Sequence, residues 1–211
     1  MLNTLYQRYL ADEDTAGLMR AIAERYTTAT LERLTGSDSR LTRRASTLAL
    51  GLVGDYRSNS TMARRLLDSD QGVRLLADNG IRELWCRDGG DNERLRLLVV
   101  VRRNLTHLYD EAVDLATELI HDAPWIAEAW SQRSVAYFHL QQHERAANDC
   151  QQAIDINPFH FNAAVGMGHC YLAMHEPSAA LVQFRRALRI NPSLEAVRGQ
   201  VAQLRKALEE T

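Results

Sequence analysis

Lysine is all but missing from this sequence: Lys206 is the only one, and arginine supplies the other 24 of its 25 basic residues. Cysteine is scarce and odd in number. Cys86, Cys150 and Cys170 lie far apart with no CxxC pair, which argues against a disulfide framework and fits a reducing compartment. No window approaches the roughly eighteen uninterrupted apolar residues of a membrane span, and the opening MLNTLYQRYLADED has no basic segment leading into an apolar one. Neither a signal peptide nor a membrane helix is expected, and the chain reads as cytoplasmic. Net charge is nearly absent too: the formal balance is -2, so no overall field draws the chain to nucleic acid or anionic membrane. GxxxxGK[ST], HExxH and GxSxG are all missing, which removes the commonest signatures of phosphate, zinc-protease and serine-hydrolase chemistry. What is present is 211 residues at 45% hydrophobic content, enough for one elongated array or two small packed domains.

The sequence repeats itself. Two Ile-Asn-Pro triplets, in DINPFHF and RINPSLE, lie 34 residues apart, a period typical of units that bury their apolar faces only against their neighbours. Aligning them defines units 127–160 and 161–194. In the first, Trp130, Ser134 and Tyr137 and then Ala146, Cys150 and Ala153 recur at helical spacing. In the second the same places hold Ala164, Gly168 and Tyr171 and then Ala180, Phe184 and Ala187. Each unit therefore reads as two helices, closed by Pro158 or Pro192, which lack an N–H and disfavour helix at the residue before them.

Those positions resemble the signature of the tetratricopeptide repeat, with Ala164 standing where a Trp is expected and Arg133 where an apolar residue is usual. One period earlier, 93–126 keeps Ala112 and Pro124 but has lost the small and aromatic positions of its first helix. It reads as a degenerate first repeat. At 195–211 an apolar stripe of Val197, Val201, Leu204 and Leu208 reads as a capping helix. The front of the chain repeats with a shift of 32: Leu41, Ala45, Ala49 and Leu52 match Val73, Ala77, Ile81 and Leu84, and region 35–92 resembles HEAT-type helical repeats. Within 1–34, TAGLMRAIAERYTTATLERL reads as one amphipathic helix burying Leu18, Ile22, Tyr26, Thr30 and Leu34, with Asp14 or Thr15 as its N-cap. The run LRLLVVV is too apolar for a helix packed on one side only. The expected architecture is an all-α right-handed superhelix, its HEAT-like front continuing into three tetratricopeptide units and a cap.

Residues that could carry chemistry have plainer readings. The GxG of VGMGHCY falls mid-helix rather than at a strand-to-helix turn, so Gly166 and Gly168 are read as close-packing positions. Cys150 is read as a small core residue. His139 and His169, on neighbouring first helices, lack a third ligand at fixed spacing, so no metal is expected. The arginines between Arg40 and Arg103 would suit phosphate. Nearby Asp38, Asp55, Asp68, Asp70 and Asp78 offset them, and no aromatic platform accompanies them.

The resemblance implies a concave face lined by the first helix of each repeat. Residue by residue it selects Leu97, Val101 and Asn104; Glu128, Ser131, Val135, Phe138 and His139; and Asn162, Val165, His169 and Leu172. Part of that family grips acidic C-terminal tails through Lys, Arg and Asn. Here those slots hold Leu97, Val101, Gln132, Asn162 and Gly166, so that clamp is absent. The expectation is a non-enzymatic interaction module without cofactor or metal, binding an amphipathic helix or apolar peptide. Nucleic-acid binding through the arginine-rich front is the alternative, and self-association through an exposed edge of the array is open.

Overall fold

The computed structural model describes residues 1–209; the last two residues of the expected cap, 210 and 211, lie outside the described residues. Among the described residues there are thirteen α-helices, one 3-10 turn and no strand. The chain divides into two compact units, with the boundary between Arg87 and Asp88.

The front unit comprises α1 (Leu2–Asp12), α2 (Thr15–Ala23), α3 (Thr28–Leu34), α4 (Arg40–Val53), a 3-10 turn at Tyr56–Ser58, α5 (Asn59–Arg65) and α6 (Gln71–Trp85). Side-chain caps set several of the starts. Asp14 accepts from the Gly17 N–H at 2.8 Å and Asp70 from the Val73 N–H at 3.0 Å. The single helix expected over 15–34 is in fact two. Thr27 is extended (φ -82°, ψ 155°) and caps a fresh helix by accepting from the Thr30 N–H, so the apolar face restarts on Leu31, which is fully buried, while Tyr26, Thr30 and Leu34 are half-buried. The segments related by the 32-residue shift are α4 and α6, which pack on each other. Ala45, Ala49, Val73, Ala77, Ile81 and Leu84 form their shared buried surface. Gly51 and Gly80 permit the close crossing: a Cβ on Gly51 would lie 2.9 Å from the Gly80 Cα.

The second unit comprises α7 (Asp91–Leu105), α8 (Tyr109–Asp122), α9 (Ala127–His139), α10 (His143–Ile156), α11 (Phe161–Ala173), α12 (Pro177–Ile190) and α13 (Glu195–Glu209). Each helix packs on the next, and the first helices of the repeats also touch, α7 on α9 and α9 on α11. The 34-residue period is written in the backbone as well as in the side chains. His107, Gln141 and His175, one period apart, all adopt φ near 60°, and the N–H that follows each reaches back to the carbonyl of Arg103, Tyr137 or Tyr171. Before each closing proline the chain leaves the helical region: Asn157 and Asn191 are extended, and Ala123 has φ -138° and ψ 66°. Asn157 and Asn191 add an Asx turn, accepting from the N–H of Phe159 and of Ser193 at 3.1 Å. The small residues of the motif close the core. A Cβ on Gly168 would meet the Phe184 ring at 2.5 Å, and Ala146, Ala153, Ala164, Ala180 and Ala187 are fully buried. On α13, Val197, Val201 and Leu204 cover the last cluster, around Ala180 and Phe184.

Candidate functional site

The first helices α7, α9 and α11 stand side by side, and the residues selected as a groove divide into two groups. Leu97, Asn104, Glu128 and Ser131 are buried, which corrects the expectation that they line an open surface. Leu97 packs with Leu119, Ile120, Ile126 and Ala129. Asn104 and Glu128 belong to a polar chain crossing the three helices. The Asn104 amide donates to the Gln132 carbonyl and side-chain oxygens at 2.9 Å, and Gln132 donates to Glu128 at 2.6 Å. His160, fully buried, meets the other Glu128 oxygen at 2.9 Å while its Nδ1 accepts from the Ala163 N–H at 3.1 Å. With Nδ1 occupied as acceptor, the ring proton sits on Nε2 and is donated to Glu128. Glu128 thus holds the start of α11 against α9. Nothing in single-residue hydropathy signals this pairing, because the partners lie 32 positions apart.

The other eight, Val101, Val135, Phe138, His139, Asn162, Val165, His169 and Leu172, keep accessible surface. Val165 and Leu172 lean on the C-terminal core cluster. Val135, Phe138, His139 and His169 come together around a pocket of about 180 Å³ between α9 and α11, floored by Ser134, Cys150, Gly166 and Cys170. Its lining includes no Asp, Glu, Lys or Arg. Burial lowers the pKa of His169, favouring the uncharged ring, which packs edge-on to Phe184 at 5.2 Å. His139 stacks on Tyr109 with centroids 4.4 Å apart. Cys150 donates to Ser134 at 3.2 Å; the adjoining Cys170 thiol and then burial hold it well above the ordinary thiol range, so it is an unreactive floor residue. Among the described residues no cluster of three or more His, Cys, Asp or Glu is placed to hold a metal.

Arg133, the departure from the repeat pattern, pins three helices. It makes a two-pronged ion pair with Asp149 at 2.7 and 2.9 Å, donates to Thr117 at 3.0 Å, and lies over the Trp130 ring.

The arginines of the front unit are largely engaged within that unit. Arg43 grips Asp68 at 2.9 and 3.0 Å and Arg44 grips Asp70 at 2.7 and 2.8 Å. Arg65 donates to the Thr35 carbonyl, and Arg87 to the carbonyls of Gly51, Leu52 and Gly54. The Arg44 hydrogen bond, with the Val73 N–H, holds Asp70 down to about 2. Guanidinium groups committed in this way to carboxylates and helix ends are poorly placed to collect phosphates. No helix among the described residues is long and apolar enough to cross a membrane.

The tetratricopeptide repeat family model matches residues 127–160. The chain is 27% identical over 105 residues to the small glutamine-rich tetratricopeptide repeat-containing protein 2 of Saccharomyces cerevisiae, across 49% of this chain and 30% of that protein. It therefore spans under a third of that relative's length. Among solved structures, the TPR domain of Sgt2 from Aspergillus fumigatus is similar with a TM-score of 0.54 at 21% identity, over 57% of this chain and 82% of that one. The first TPR of Spaghetti (RPAP3), solved with the HSP90 peptide SRMEEVD, matches with a TM-score of 0.50 at 24% identity, over 55% of this chain and 94% of that one.

Proposed function

We propose, for a chain whose second unit is a tetratricopeptide-repeat array, that it is a non-enzymatic interaction module whose α9–α11 pocket anchors one apolar side chain of a bound peptide or amphipathic helix. The observation that carries this reading is the pocket of about 180 Å³ bordered by Val135, Phe138, His139 and His169, whose lining includes no Asp, Glu, Lys or Arg. An apolar anchor buried in such a pocket is the usual centre of a peptide interface, and Val101 and Asn162 extend the accessible surface along α7 and α11.

A related fold holds the acidic-tailed peptide SRMEEVD, but the slots for a cationic clamp favour a different ligand here. Leu97 is in the core, the Gln132 side chain is engaged with Asn104 and Glu128, and Gly166 carries no side chain. Panning a displayed peptide library on the purified chain should enrich Leu, Met or Phe anchors. Affinity should fall about tenfold or more in Val135→Asp/Phe138→Glu at unchanged helicity, with little dependence on salt. Tighter binding of SRMEEVD than of any apolar sequence, undisturbed by the double variant, would sink the proposal.

A further inference from the structure

The outward face of α7 carries more exposed apolar surface than the rest of its helix explains. Leu97, Val100 and Asn104 point into the second unit and are buried, whereas on the opposite side Leu95 is 65% exposed and Leu98 53%, with Val99 and Leu105 exposed beside them. This is the LRLLVVV run whose second apolar face was expected to be covered. A patch of this kind marks an interface.

Its ends indicate which one. Asp91, Leu95, Leu98 and Arg102 are spaced four, three and four residues apart, so they form a single stripe along the helix. Asp91 is fully exposed, with Arg94 at 3.8 Å, and Arg102 is exposed. The neighbouring arginines are occupied: Arg96 pairs with Asp122 at 2.7 Å and Arg103 with Glu111 at 3.0 Å. The stripe has palindromic spacing with opposite charges at its two ends. When it is turned end over end, acid meets base and leucine meets leucine, which is the self-complementarity that a two-fold interface requires.

We infer that α7 is the contact between two copies of this chain, packed antiparallel so that Asp91 of each faces Arg102 of the other and Leu95 faces Leu98. A single helix pair buries little area, so the dimer is weak and concentration-dependent.

Sedimentation of the full chain at low salt over a wide concentration range tests this. The mass should rise from 23.9 kDa toward twice that value, and Leu95→Ser/Leu98→Ser should hold it at the monomer with helicity unchanged. Asp91→Arg places base at both ends of the stripe and Arg102→Asp places acid at both. Each alone should lose the dimer, and an equimolar mixture should regain it as a heterodimer. A monomer at every concentration, including one whose α7 face is covered by another part of the same chain, overturns the inference. So does a dimer that survives the leucine changes. A dimer lost with the leucines but indifferent to either charge reversal overturns the antiparallel register.

Discussion

At Gly168 a hydrogen atom decides the packing of two helices. A methyl there would meet three atoms of the Phe184 ring at 2.5 to 2.8 Å, and the ring is fully enclosed, so it has nowhere to move. Gly168→Ala is expected to cost about 1–3 kcal/mol despite alanine's better helix propensity, read as a lower denaturation midpoint. Charge acts as locally at Asp70, whose carboxyl is held at about 2 by Arg44 against an ordinary 3.8. A depressed carboxylate stabilises the fold above its ordinary pKa, and that contribution is lost as pH falls from about 4 through 2. Asp70→Asn should therefore lower stability by about 1–2 kcal/mol at neutral pH. It should also flatten the acid limb of the unfolding profile in that window. Retention of the wild-type acid limb would mean the Arg44 contact is not formed in solution.

Helix boundaries follow the same local logic. Three turns, at His107, Gln141 and His175, put a non-glycine residue at φ near 60°, a conformation that a Cβ penalises. Gln141→Gly should raise the stability of the second unit by about 0.5–1 kcal/mol, the relief of strain exceeding the added freedom of the unfolded chain; chemical denaturation would show it as a higher midpoint at unchanged slope. The turn at His107 shares its positive φ with those at Gln141 and His175, so the backbone between α7 and α8 keeps the later pattern although the side-chain motif of 93–126 has eroded. Conversely, the break at Thr27 was hidden by a periodicity that continued through it. Leu18, Ile22, Tyr26, Thr30 and Leu34 satisfy one helical stripe, yet an extended Thr27 capping Thr30 starts a new helix and moves burial to Leu31.

Across the whole molecule, unit-by-unit stability is the expectation for repeats that touch mainly their neighbours. Arg133→Ala removes the partner of a nearly buried Asp149 and loosens α8, α9 and α10 together. It should cost about 3–5 kcal/mol, measured as loss of protection from hydrogen exchange in those helices ahead of the front unit. The helical class, the 34-residue period and the small residues at Ala146, Ala153, Gly168 and Ala187 were legible in the sequence, because periodicity and the geometry of proline and glycine act over one or two turns. Four of the twelve groove positions, Leu97, Asn104, Glu128 and Ser131, are buried, because a family's register says which way a residue points but not what meets it there. Leu97 and Val101, one turn apart on α7, differ in burial only through the helices laid against them. The sequence by itself determined that the chain would be helical, repetitive and closed by prolines, since these depend on spacing along one strand of peptide. Only the tertiary structure decided that Glu128 would serve His160, that the arginines would be spent on Asp68, Asp70 and Asp149, and that Val135, Phe138 and His169 would share a pocket. Those partners come from distant positions, and burial and charge pairing are fixed by the neighbours that folding supplies.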